Sequence, residues 1–265
     1  MHLADKLTLE SGFLLLEKEF KNVVNAHSFP ADPHALVDAL DEQYELIASR
    51  AKSVASVRSP EKMARLAEWL LQRGRSRRFL SHYSTIRGEH VLRTLTNVAQ
   101  QHSVHSITAV MSGTGLLGSG GTSTATLAKN TSFLNKSGAG KKLRIGADRG
   151  PGIRDAEGME TECALLVMGA FVALISIEES VLEKVIKDVS HRAQVHRDLF
   201  TRPLNYAVEL VAKTVQDCEG TLPSLLPLLR FIATHNIQLT TIAASWEKNF
   251  IIVNEFITDQ CDAIQ

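Results

Sequence analysis

Aromatic residues are scarce in this 265-residue chain: Phe, Trp and Tyr together make up 6% of it. No Asn-Gly or Asp-Gly pair joins two alternating apolar runs, so the usual hairpin signal is missing and a strand-rich fold is not expected. Charge of one sign is lacking too. Lys and Arg number 29 against 29 Asp and Glu, so no global field draws the chain to nucleic acid or to a membrane, and such a contact would need a local patch. Cysteine is sparse: Cys163, Cys218 and Cys261 are odd in number, far apart and form no CxxC. That excludes a disulfide framework or a zinc site and suits buried thiols in a reducing compartment. No long apolar run is present either. The longest, Cys163 to Ile177, covers 15 residues between Glu160, Glu162, Glu178 and Glu179, short of the ~20 that a membrane span needs. The N-terminus interleaves Asp5, Lys6, Glu10, Glu17 and Lys18 with its apolar residues, unlike a secretory signal. These absences predict a soluble cytosolic chain, long enough for a substantial core in one or two domains.

What is present is helical periodicity. Leu9, Phe13, Leu16, Phe20 and Val23 recur at steps of four, three, four and three, a heptad seam too short to be stable alone. It must pack on another helix, in this chain or in a partner. Asp32-Pro33 is a helix start, with Leu36, Leu40, Tyr44 and Ile47 expected along one face. Ser59-Pro60 repeats the device before a helix carrying Met63, Leu66 and Leu70. After a Gly74-centred basic break, a second helix carries Phe79, Tyr83, Ile86, Leu92 and Leu95. Periodicity resumes at Met159. Val181, Val185 and Val189 recur every four residues, and Leu204, Val208, Val211 and Val215 form a stripe that Gly220 ends. Thr221 to Pro223 starts the next helix, which Pro227 should bend or delay. Residues 237–264 are patterned more weakly.

Residues 103–157 break this periodicity. They hold ten of the 16 glycines and thirteen Ser or Thr, with Phe133 the one aromatic. Seven basic against three acidic residues give +4, leaving −4 for the rest. Such a segment is expected to be a disordered insert. The chain then divides into an N-terminal helical bundle at 1–102, the insert at 103–157 and a second, truncated bundle at 158–265.

Candidate chemistry is weak. Gly113, Gly115 and Gly118 fit G-x-G-x-x-G, and Ile107 to Met111 could be the preceding strand. Ser119-Gly120-Gly121 is a poor helix start, however, and no acidic residue follows until Asp148. A nucleotide-binding enzyme built on the Gly113 loop is therefore the least favoured reading. Gly138, Gly140 and Lys141 suggest a P-loop, but Lys142 replaces the Ser or Thr that would hold magnesium. His102 and His105 have metal-like spacing but are read as a solvated pair at a helix end. His191 and His196 fall on different helix faces. Adjacent carboxylates such as Glu178-Glu179 and Asp41-Glu42 diverge on a helix and are read as solvated faces. The basic turn of Arg73, Arg75, Arg77 and Arg78 could pair with acidic side chains or lipid phosphates. Its bland alternative is a solvated loop in which Arg75 caps the helix before it. Arg73-x-x-Ser76 is a weak phosphorylation pattern that would neutralise this patch. No catalytic, metal or cofactor residue emerges, so no enzyme is expected.

The series Trp69-Leu70, Gly74-Arg75, Phe79, Tyr83, Ile86-Arg87 and Leu92-Arg93-x-Leu95 resembles the exocyst complex component 7 family, the 70-kDa subunit of the complex that tethers secretory vesicles. Further similarity lies in Leu16-Glu17-x-Glu19-Phe20, His27-Ser28, Glu160-Thr161-Glu162 and Leu226-Pro227-Leu228-Leu229-Arg230. The resemblance spans about residues 9–235 without the insert, and nothing matches after about Thr240. It implies an all-α, elongated rod of stacked antiparallel helical bundles, of which this chain is the upstream half or a fragment. It also implies vesicle tethering at the plasma membrane, with other exocyst subunits as partners, the N-terminal seam pairing with one of them. Small Rho- or Ral-family GTPases are implied as regulators. The family's phosphoinositide contact lies in a basic C-terminal part absent here, so no lipid-binding residue is carried over. The implied location is cytoplasmic, with peripheral recruitment to the plasma membrane. A helical adaptor unrelated to secretion is the alternative. If residues 237–264 normally pack on missing helices, Phe250, Ile251, Val253 and Phe256 would be exposed.

Overall fold

The computed structural model describes residues 3–54, 56–73, 77–113, 154–217 and 222–242. Seven α-helices follow in order: α1 (Leu3–His27), α2 (Pro33–Asp38), α3 (Pro60–Arg73), α4 (Arg78–Gly113), α5 (Arg154–Val185), α6 (Val189–Asp217) and α7 (Leu222–Ile242). Among the described residues there is no strand, only isolated bridges from Ser28 to Val57 and from Leu40 to Leu46. The fold is all-α.

The core is one continuous cluster running from Phe20 of α1 to Ile242 of α7. At its centre lies α5, whose Ala164, Val167, Met168, Phe171 and Leu174 are buried. Phe171 meets Phe200 of α6 edge-on, with ring centroids 5.7 Å apart, an arrangement that aromatic quadrupoles favour. The most extensive pairing is between α4 and α6, helices from opposite sides of the segment expected to separate two bundles. Gly88 allows it, because a Cβ there would lie 2.6 Å from the Leu199 carbonyl oxygen. Gly169 of α5 receives the 40s loop in the same way: its Cβ would lie 2.6 Å from the Tyr44 Cβ and 2.7 Å from the Tyr44 oxygen. Tyr44 reaches that position with φ at 62°, a conformation that only tertiary packing sustains in a bulky residue.

Several local expectations give way to competing interactions. Asp32 does cap α2, accepting from the His34 N–H at 3.1 Å, but the helix stops at Asp38. Asp41 then accepts from the Gln43 and Glu45 N–H groups at 2.8 and 2.9 Å, folding a turn that puts Leu40, Tyr44 and Ile47 outside any helix. Val181, Val185 and Val189 do not share a helix either. Asp188 accepts from the His191 N–H at 2.9 Å and starts α6 afresh. Both ends of the 103–157 segment are helical, since α4 continues to Gly113 and α5 begins at Arg154; residues 114–153 lie outside the described residues. The apolar helix is also longer than its 15-residue run. Glu160–Val185 has the length and composition to cross a membrane, and most of it is buried inside the bundle.

Candidate functional site

The 63–98 stretch forms a helical hairpin against α1. Met63, Ala67 and Leu70 of α3 are buried, as are Phe79, Tyr83, Val91 and Leu95 of α4. Phe20 of α1 meets Phe79 edge-on at 5.2 Å and Tyr83 at 6.4 Å. Phe13 meets Trp69 at 5.4 Å. The seam of α1 is thus used within the chain, while Leu14 and Leu15 beside it are 60% and 67% exposed. At the turn, Arg73 lies over the Trp69 ring at 5.8 Å. Arg77, not Arg75, reaches the end of α3, with its guanidinium 3.5 Å from the Leu70 oxygen and 3.4 Å from that of Leu71. Gly74, Arg75 and Ser76 lie outside the described residues.

One turn beyond Tyr83, Arg87 enters the core with no solvent exposure. Its Nε donates to Glu178 Oε2 at 3.1 Å and its Nη2 to Glu178 Oε1. Nη1 donates to the Ser56 carbonyl at 2.9 Å, and Nη2 to Ser56 Oγ at 2.7 Å. Ser56 Oγ in turn donates to Glu178 Oε1 at 3.2 Å. Burial alone would lower the Arg87 pKa, yet the Glu178 carboxylate holds it above its ordinary value. The Tyr83 hydroxyl, buried beside this pair without a partner, is raised by desolvation and then by Glu178. The network joins α4, α5 and the loop before α3. It offers no nucleophile or open coordination position to a substrate.

Glu178 corrects the reading of Glu178-Glu179 as a solvated face: Glu178 is buried and Glu179 exposed. The clue was periodicity, because Glu178 continues the Phe171, Leu174 stripe of α5 one turn onward. The bland reading holds for Asp41, a turn former. His102 lies within α4 and not at its end. His191 pairs with Asp188 at 2.8 Å, whereas His196 packs edge-on against Phe200 at 4.9 Å, so the two are not brought together. Cys163 is half-buried, its thiol 4.0 Å from the Ala99 oxygen, and burial raises its pKa. Cys218 and Cys261 lie outside the described residues. Ile107 to Met111 belong to α4 and not to a strand, which removes the premise of the dinucleotide fingerprint at Gly113. The rest of that motif, the Gly138 run and Lys141 lie outside the described residues. Among the described residues, no group of three or more His, Cys, Asp and Glu is placed to hold a metal ion.

Two open clefts remain. The first, about 540 Å³, lies between Tyr44 and Glu45 of the loop, Leu165 of α5, and Phe231 and His235 of α7. His235 sits 3.8 Å from Glu45 and stacks on Phe231 at 4.3 Å. The second, about 530 Å³, lies between Ile175 of α5, Val189, Arg192 and Ala193 of α6, and Ile242 of α7. The fold and these surfaces define a helical protein whose described residues carry contacts and not a catalytic constellation. No protein-family model matches the chain, and no curated protein matches it in sequence.

Proposed function

We propose that this chain is a non-catalytic subunit of the exocyst, acting in the tethering of secretory vesicles to the plasma membrane. The observation that carries this reading is the ordered Trp69-Leu70 to Leu95 series, which resembles the exocyst complex component 7 family. The positions of that series with a described side chain have structural work in the fold. Leu70, Phe79, Tyr83, Arg87 and Leu95 are buried, and Trp69 packs on α1. Further helices stacked beyond α7 would extend the bundle into a rod. Other exocyst subunits are its partners, with Rho- or Ral-type GTPases as regulators. The chain is cytoplasmic and reaches the plasma membrane peripherally. Its phosphoinositide contact belongs to a C-terminal part without a counterpart here.

With Phe13 and Phe20 turned inward, the partner-facing residues of α1 are Leu14 and Leu15. The test is affinity purification of the tagged chain from its own cells, with mass spectrometry of the proteins that accompany it. Several exocyst subunits in similar amounts are expected, and Leu14→Glu with Leu15→Glu should abolish their recovery without lowering the melting temperature. Recovery of none, also from a chain extended with the downstream helices, would leave a helical adaptor unrelated to secretion.

A further inference from the structure

The two clefts share one side of α7. Pro227, Phe231 and Thr234 line the first, Gln238 and Ile242 the second. Their spacings of four, three, four and four place all five on one face of the helix. From Pro227 to Ile242 that face is about 22 Å long at 1.5 Å per residue. Its floor is apolar, with Ile175 and Ile242 at 2% and 4% exposure. Val189 nevertheless leaves 68% of its surface open on the wall, and Ala193 one helical turn on is exposed as well.

The described chain stops where this groove begins, at Ile242. On α7 itself the buried positions Leu225, Leu228, Ile232, Leu239 and Ile242 repeat at helical steps. The sequence beyond keeps that period: Trp246, Phe250, Val253, Ile257, Cys261 and Ile264 come at steps of four or three. Glu247, Lys248, Asn254, Glu255, Asp259 and Asp262 fall between them. This is an amphipathic stripe. As a helix, 246–264 would be about 27 Å long, close to the length of the groove. Ala243-Ala244-Ser245 supplies small residues for a reversal and a serine suited to cap a helix starting at Trp246.

We propose that residues 246–264 are the occupant of this groove, turning back after Ile242 and laying the Trp246 stripe along α7 from Val189 towards Leu165. The segment is thereby a cover supplied in cis, and a partner helix gains this face only by displacing it.

Trp69 and Trp246 are the only tryptophans, so Trp69→Phe leaves Trp246 as the sole indole emitter in the full chain. Its emission should be blue-shifted and shielded from acrylamide, to the same degree from dilute to concentrated monomer. Ala193→Glu on the groove wall should shift it to the red and raise quenching several-fold while far-UV circular dichroism stays unchanged. Hydrogen exchange on the chain with Trp69 intact gives the same reading independently: 246–264 protected, and released by Ala193→Glu. Three results would each overturn the proposal. One is a Trp246 quenched as in the unfolded chain. Another is shielding that grows with dimer formation, which assigns the stripe to a second copy. The last is shielding unaffected by Ala193→Glu, which puts the stripe elsewhere on the molecule.

Discussion

Arg87 and Glu178 decide the sign of several substitutions at once. Taking both ions out of water costs several kcal/mol each, an amount that their mutual attraction repays only when the remaining donors are satisfied. Here Ser56 accepts what Glu178 does not. Losing one partner is therefore far costlier than losing both. Arg87→Met or Glu178→Gln alone should remove about 3–5 kcal/mol of stability in urea unfolding. Arg87→Met combined with Glu178→Leu should cost less than either; a double variant as unstable as the sum of the singles would refute this account. His196 sets a pH dependence nearby. Burial pushes its pKa below the ordinary imidazole value, and Glu179 and Glu178 pull it back only in part. The folded state thus favours the neutral ring. Stability is full above about pH 6.5, the unfolded value, and falls as the pH drops through the window towards the folded pKa, because the unfolded chain takes up the proton first. His90 titrates in the same direction, lowered by burial and then by Arg87 and Arg93. His196→Phe should flatten the decline in urea midpoint between about pH 7 and about pH 5 while keeping the edge-on contact with Phe200. An unchanged slope would assign the dependence to other groups.

At the scale of elements, two helical glycines make opposite predictions. Alanine is favoured over glycine inside a helix by about 1 kcal/mol, so Gly12→Ala, with nothing within 4 Å of its new methyl, should raise the melting temperature by a few degrees. Gly88→Ala carries the same propensity gain but drives that methyl against the Leu199 backbone. It should lower the melting temperature, because a carbonyl in a packed helix cannot step aside as a flexible side chain can. This contrast also marks how far the sequence could be read. Helices with a sustained stripe, such as Leu204, Val211 and Val215, were legible because period alone sets which face is buried. The 40s were not: Asp41 offered the backbone a local turn, and Gly169, far away in sequence, offered Tyr44 a seat. The same limit hid the Arg87 site. Both Arg87 and Glu178 lie on otherwise apolar stripes, but their pairing over 91 residues is a fact of tertiary packing that no local spacing encodes.

For the molecule as a whole, the consequence is one cooperative unit in place of two bundles joined by an insert. α4 lies mainly against α6, α3 reaches α5, and the Arg87–Glu178 pair spans both halves. Residues 1–113 alone would leave Phe79, Tyr83 and Leu95 without the helices that complete their core, and would leave Arg87 buried or half-buried without its carboxylate. The segment between Gly113 and Arg154 need supply only a connection, because loop closure costs little more for a long loop than for a moderate one. Residues 1–113 and 154–265, made as separate chains in one cell, should therefore purify together and unfold in a single concentration-dependent transition, lower than that of the intact chain. Residues 1–113 made alone should lack cooperative unfolding. Two independent transitions, or a soluble and cooperative 1–113, would show instead that the halves are separate domains, and the Arg87–Glu178 pair would then be a contact between finished units and not a shared part of one core.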